Sequence, residues 1–256
     1  MGPLSGRAVP DCVTPRRSSG WCVERRTASA SDLLDPWPPA GEDGSLAVRA
    51  GRMEGRGALV LGSTQDETSV DEAAAAAAGI DLLRRTTGGG GVLVFPQAQV
   101  WLDIWVPRTG QLWADDIIEA SLWLGDVWAA ALAGLGAGPL VVHRGPATRA
   151  ALSDLVCFTG LGPGEVRLEA ASPRRTKVVG LAQRRTRRGA RFHTTALVEW
   201  DPDPFLDVLH LGEFSEVRTQ LRDAAIGLRA LLPSRSGASD VELIDVVEDA
   251  VISALP

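Results

Sequence analysis

The chain has 256 residues, 45% of them hydrophobic, and a formal net charge of −6 at pH 7. That length suits one sizeable core or one domain with appendages, no apolar run is long enough to span a bilayer, and the acidic balance argues against general nucleic-acid binding. Cys12, Cys22 and Cys157 have no metal-ligand spacing, which argues against a zinc site or a disulfide framework and predicts a reducing, cytoplasmic setting.

Residues 1–45 read as a tail. Ser, Pro, Gly and Arg mix there without period, and Pro36, Pro38 and Pro39 crowd one turn of chain. Such a segment buries too little apolar area to offset its ordering entropy. Arg7, Arg16 and Arg17 have no apolar stretch behind them, so the segment does not read as a secretory signal. The main domain is expected over 46–232, with a linker and helix over 233–256.

Within it, the run 58–61 ends at Gly62 and reads as a buried strand. Ser69 and Glu72 have capping-box spacing, which predicts a helix through the Ala run to Gly79. Residues 92–95 and 100–106 read as strands around Pro96. The second alternates: Trp101, Asp103 and Trp105 on one face, Val100, Leu102, Ile104 and Val106 on the other. Asp116 is placed as the cap of a long helix with Ile117, Leu124, Trp128, Ala131 and Leu135 as its apolar stripe, closed by Gly134 and Gly136. A short strand is expected over 139–143, two longer ones over 177–183 and 191–200, and helices over 203–211, 216–232 and 240–254. The mix predicts an α+β fold, a mixed and largely antiparallel sheet flanked by helices.

Two segments carry chemistry. The first is Arg84-Arg85-Thr86-Thr87-Gly88-Gly89-Gly90-Gly91-Val92. Four glycines between strand-like runs let backbone approach a ligand, and free N–H groups can nest anionic oxygens beside the two arginines. No Lys-Ser/Thr follows and the spacing is not G-x-G-x-x-G, so this is neither a P-loop nor a dinucleotide fingerprint. A flexible turn with two solvated arginines remains the alternative. The second segment runs from Lys177 through Gly180 and Ala182, across an Arg-rich turn, to His193-Thr194-Thr195. Alternation puts His193 and Thr195 on the more polar face, opposite Phe192, Ala196 and Val198. Singly, Lys177 and His193 are more often ordinary surface residues than site residues. The basic set between Arg174 and Arg191 contains no acidic residue; it reads as a solvated hairpin or as a patch that steers an anionic substrate or acidic partner.

Together the two segments resemble the biotin/lipoate ligase family, and within it the lipoate–protein ligase branch. That branch carries Arg-Arg-x-Ser-Gly-Gly-Gly-Ala-Val, matched at 84–92, then Lys-x-x-Gly-x-Ala and a His-Gly-Thr-Leu-Leu strand, matched at 177–182 and 193–197. The resemblance covers roughly 56–210. It implies that fold's catalytic domain, ATP with magnesium, and lipoate or octanoate activated as an acyl-adenylate. The acyl group would pass to a lysine of the lipoyl acceptor domain of a 2-oxoacid dehydrogenase or glycine-cleavage protein. Arg84, Arg85, Thr87 and Gly88, Gly89, Gly90, Gly91, Val92 and Leu93 would then hold the nucleotide and acyl linkage, Arg85 facing the phosphate. Lys177 would stabilise charge on acyl and phosphate oxygens. Gly180, Ala182, His193 and Thr195 would shape the acyl or acceptor site, and no magnesium ligand set is identified. Trp101 and Trp105 are candidates for an acyl tunnel, with core packing as the other reading.

Departures are Thr194 in place of the family's Gly after His, Val94 in place of a frequent His, and a short C-terminal portion. A related octanoyltransferase branch has Cys-Phe in the loop corresponding to Cys157-Phe158, where the thiol carries the acyl group without ATP. A buried cysteine acting as a small hydrophobe is the plain alternative, and the separation from Lys177 favours it. The reading is thus an ATP-dependent ligase, with a thiol-dependent transferase using Cys157 and a non-catalytic binder of acyl-adenylate as the alternatives. Gly160-Leu161-Gly162-Pro163-Gly164 reads as a connector.

Overall fold

The computed structural model describes residues 20–38, 44–169, 176–211 and 214–256. In chain order they form β1 (Cys22–Ala28), α1 (Ala30–Leu34), β2 (Ala47–Met53), β3 (Gly57–Leu61), α2 (Glu72–Ala77), β4 (Ile80–Arg84), β5 (Val92–Val94), β6 (Gln99–Pro107) and α3 (Glu119–Gly134). Then come β7 (Leu140–Val142), β8 (Val166–Leu168), β9 (Lys177–Arg185), β10 (Gly189–Leu197), α4 (Asp203–Val208), α5 (Phe214–Arg222), α6 (Leu228–Leu231) and α7 (Asp240–Ser253). Seven strands form one sheet in the order β1-β2-β6-β10-β9-β8-β7, in which β1–β2 is parallel and the other pairings are antiparallel. A smaller sheet has the order β4-β3-β5. This is the α+β, largely antiparallel architecture expected.

β6 explains the layering. All nine of its residues are buried, so both faces of the sheet are covered. Val100, Leu102, Ile104 and Val106 enter the main core with Leu124 and Trp128 of α3 and Leu243, Val247 and Val251 of α7. Four such side chains contribute on the order of 6–12 kcal/mol. A one-residue slip of register would forfeit that, so the strand has one workable pairing. On the opposite face, Trp101 packs with Leu33, Ala58, Val60 and Val94 under the smaller sheet, and Trp105 packs with Trp37.

The structure corrects several expectations. Residues 20–38 are not a tail: β1 pairs along β2, Trp21 is 2% exposed with its Nε1 donating to Pro256 O at 2.7 Å, and Leu33 is fully buried. Three large apolar anchors, Trp21, Leu33 and Trp37, outweigh the surrounding polar composition; residues 1–19 lie outside the described residues. Cys22 is disulfide-bonded, contrary to the reading of unpaired thiols, whereas Cys157 is free. Asp71, not Ser69, caps α2, its carboxylate accepting from Ala74 N at 2.9 Å. Ile117 is 59% exposed and lies outside the stripe of α3, because Asp116 closes a turn onto Ile118 N and Glu119 N before the helix begins. The helix expected over 216–232 breaks, because Ala224 O accepts from Lys177 N and Ile226 N donates to Lys177 O, joining 224–226 to β9. The C-terminal helix expected within 233–256 is present as α7, and it packs into the main core.

Candidate active site

The glycine loop joins β4 to β5 and is braced from beneath. Arg85 is 7% exposed; its Nη1 donates to Val60 O at 3.0 Å and its Nη2 to Gly88 O and Gly90 O at 2.8 and 2.9 Å. Arg84 donates to Gly62 O and Gln65 O and pairs with Glu67. The arginine pair thus satisfies carbonyls that a loop of this shape leaves without ladder partners. Gly62 is obligatory at the crossing, because a Cβ there would lie 1.8 Å from Gly89 O. Gly91 N donates to Leu155 O, and Cys157 N to Gly91 O, so the loop is stitched to the segment carrying Cys157. The N–H groups of Gly88, Gly89 and Gly90 donate to no acceptor among the described residues. These three glycines line a cavity of about 600 Å3, open to solvent, that also contains Cys157, Glu165 and Lys177.

Lys177, at the start of β9, is 1% exposed. Its ammonium donates to Cys157 O at 2.9 Å and Gly160 O at 3.1 Å, and pairs with Glu165 Oε1 at 2.8 Å. Cys157 Sγ is 4.0 Å away. Burial alone would lower the lysine's pKa; the Cys157 thiol and the Glu165 carboxylate outweigh it and hold the ammonium above its ordinary value. Glu165 is fixed in turn, accepting from Gly162 N at 2.6 Å and Leu181 N at 3.0 Å.

A second, apolar pocket of about 60 Å3 adjoins the first, and Cys157, Leu181 and Ala182 line both. Val60, Val92, Val94 and Trp101 form its apolar wall, Gly180 leaves room in it, and His193 and Thr195 supply polar atoms. His193 Nδ1 lies 2.5 Å from Asp103 Oδ1. Asp103 is buried, and its other oxygen takes Arg49 and, at 2.9 Å, Arg191. Burial would raise the Asp103 pKa, but His193, Arg191 and Arg49 hold the carboxyl far below the usual range. His193 is pushed down by burial, with Asp103 opposing and both arginines adding. The ring is therefore neutral near pH 7; with its proton on Nδ1 facing the carboxylate, Nε2 is an acceptor. Arg49 and Arg191 also donate to Leu33 O, and Arg191 to Asp35 O, so this cluster pins the end of α1 over the sheet.

The structure brings most of the expected site residues together and reassigns several. Gly88, Gly89, Gly90, Cys157, Lys177, Gly180, Ala182, His193 and Thr195 line the two joined cavities. Arg84 and Arg85 hold backbone instead of standing free, though Arg85 lines the apolar pocket as Val92 does, and Leu93 faces a separate core. Thr87 is 2% exposed, its hydroxyl without a partner among the described residues. Trp101 walls the apolar pocket, whereas Trp105 packs against Trp37. Thr194 does not crowd the site through its hydroxyl, which donates to Leu102 O at 3.0 Å. The 160–164 segment is more than a connector, because Gly160 O and Gly162 N hold Lys177 and Glu165. Glu165 and the Arg49–Asp103 pair were missed. A lone acid midway along the apolar strand 100–106 was the available signal for Asp103; nothing local marks Glu165.

A sequence profile of the lipoyl protein ligase A/B catalytic domain matches residues 53–252. The chain belongs to that family. No characterised protein matches it by direct sequence comparison. Among solved structures, a bipartite lipoate protein ligase of Thermoplasma acidophilum, described with its E2 lipoyl domain, is similar at 17% identity and a TM-score of 0.65. The match covers 93% of this chain and 82% of that one. A lipoate-protein ligase A bound with ATP matches at 18% identity and a TM-score of 0.59, covering 93% and 84%. P. falciparum LipL1 in complex with lipoate matches at 12% and 0.58, covering 92% and 62%. At these identities the likeness establishes the shared fold. Among the described residues no helix is long and apolar enough to cross a membrane.

Proposed function

We propose that this family member transfers a lipoyl or octanoyl group to a lysine of an acceptor protein domain through a thioester on Cys157. One observation carries the reading: Cys157 Sγ lies where the polar cavity meets the apolar pocket, 4.0 Å from the Lys177 ammonium. The long sequence separation of this pair is bridged by the Lys177 ammonium, which donates to Cys157 O and Gly160 O. Sγ attacks the carbonyl of a donor acyl thioester; a C–S bond forms, the donor C–S bond breaks, and the thiol proton leaves on the donor thiol. The acceptor amine then attacks the Cys157 thioester, forming the amide and restoring the thiol. Lys177, whose three donors are held by Cys157 O, Gly160 O and Glu165, places a positive charge beside the oxyanion in both steps. At about 60 Å3 the apolar pocket has room for roughly four chain atoms, so a longer chain would lie partly in the open cavity.

The second reading is ATP-dependent ligation, with the acyl-adenylate resting on the free N–H groups of Gly88, Gly89 and Gly90 in the larger cavity. That cavity's size and those donors favour it. Magnesium would accompany the nucleotide; no group of three metal-ligating side chains is present among the described residues, and we derive no step through the ion. The test supplies wild type and Cys157→Ser with octanoyl–carrier protein lacking ATP, and separately with lipoate, ATP and acceptor domain. Product from the first mixture, lost in Cys157→Ser, supports the transferase. ATP-dependent product that survives Cys157→Ser makes the chain a ligase. Acyl ligand bound in calorimetry, with no product from either mixture, would sink both and leave a binding protein.

A further inference from the structure

We propose that the tip of the β9–β10 hairpin is the docking surface for an acidic acceptor domain. This rests on the reading that the chain acylates a protein lysine, and it holds for either route, since both end on the same acceptor.

The chain is acidic overall, and its exposed arginines commonly have carboxylate partners, as in Arg25–Asp249, Arg56–Asp81 and Arg144–Asp126. The hairpin breaks that habit. Arg184 and Arg187 are exposed, as is Arg108 on the adjoining strand end, and none of the three pairs with a carboxylate among the described residues. Asp115 and Asp116, close to the hairpin, have other partners: Asp115 accepts from Trp113 Nε1 at 2.9 Å, and Asp116 from Ile118 N and Glu119 N. Clustered like charges cost self-repulsion, so an unneutralised group on an acidic protein is a surface that wants a counter-surface.

The tip is also rigid, which lowers the entropic cost of docking. Thr186 N donates to Gly189 O at 2.8 Å, Arg188 N and Gly189 N donate back to Thr186 Oγ1, and Arg108 N donates to Arg188 O. Arg185 stacks 4.1 Å from the Trp113 ring and donates to Ala114 O. Beside this platform Ile117, 59% exposed, offers an apolar anchor, and Gln183 ties its carbonyl to β9 at 2.7 Å.

Position links the patch to the chemistry. Ala182 lines both cavities, and Arg184 follows two residues later on the same face of β9, roughly 7 Å along the strand. A domain seated on the tip would present its lysine at the cavity mouth.

The experiment measures an acceptor domain of net negative charge against wild type, Arg184→Glu/Arg187→Glu and Arg184→Lys/Arg187→Lys. It reads direct binding by titration, KM for the acceptor, and the acceptor-free half-reaction that loads the acyl group. The charge reversal is expected to raise Kd and KM at least 10-fold at low salt, with the half-reaction unchanged; the lysine variant is expected to stay within about 3-fold, and the gap to shrink in high salt. Unchanged Kd in the reversal variant overturns the proposal, as does equally tight binding of wild type to duplex DNA or anionic vesicles. If wild type makes no acyl product at all, the acylation reading falls, while the titration still decides the docking surface.

Discussion

Replacing Glu165 by Gln tests whether the site depends on a fixed buried counter-charge. Lys177 and Glu165 lie 2.8 Å apart with side chains 1% and 4% exposed. At an effective dielectric near 20, that separation corresponds to a gross attraction on the order of 6 kcal/mol, opposed by desolvation. Gln keeps the shape but offers one acceptor oxygen where the carboxylate serves three donors, Gly162 N, Leu181 N and Lys177. The ammonium would keep its two carbonyl acceptors and lose its charge partner, a defect worth about 3–5 kcal/mol, or a fall in Tm of roughly 10 °C. The pH dependence separates this from ordinary mispacking. In wild type the raised Lys177 pKa gives stability present below the ordinary lysine value of 10.5 and lost as pH rises beyond it. In the variant burial dominates and lowers that pKa, so stability should rise as pH climbs toward 10.5. The alkaline limb of acyl transfer should move to lower pH with it. Thermal unfolding from pH 7 to 10.5 provides the assay; parallel curves for the two proteins would refute the reasoning.

Three further outcomes follow from the geometry. Gly62→Ala drives a methyl against Gly89 O, so acyl-ligand affinity measured by calorimetry should fall at least 10-fold even where circular dichroism reports a folded chain. Asp103→Ala strands the Arg49 and Arg191 guanidiniums in the interior, and chemical denaturation should register a loss of about 3–5 kcal/mol. Glu248, on α7 against Arg52, is raised by burial from 4.5 to about 7. Its cost to the folded state therefore accumulates between those two pH values and stays constant above them, so Glu248→Gln should become more stable than wild type across that window by up to about 3 kcal/mol. A stability difference between the two that ignores pH would contradict this account.

The features legible in the sequence were those whose cause is local. Strand alternation in β6 and β10 follows from a period of two, and the glycine run announces close backbone approach wherever it falls. The features missed arise from pairing across the fold. Asp103 meets Arg49 and His193 only because β6 lies between β2 and β10. Trp21 and Trp37 become anchors only because the chain's last carbonyl and β6 reach them. The arginines at 84 and 85 are the instructive case. Beside four glycines, two guanidiniums read as free cations awaiting an anion, yet that same irregular loop leaves the carbonyls of Gly88 and Gly90 needing donors, which Arg85 supplies, while Arg84 is drawn to Gly62 O and Gln65 O. The consequence is chemical. With both guanidiniums committed and Lys177 matched by Glu165, the cavity presents N–H groups and the exposed Arg149 to a triphosphate, whereas the free Cys157 thiol faces an ammonium and an apolar pocket already in place. That asymmetry motivates the proposed thiol route, which the Cys157→Ser assay separates from the nucleotide route.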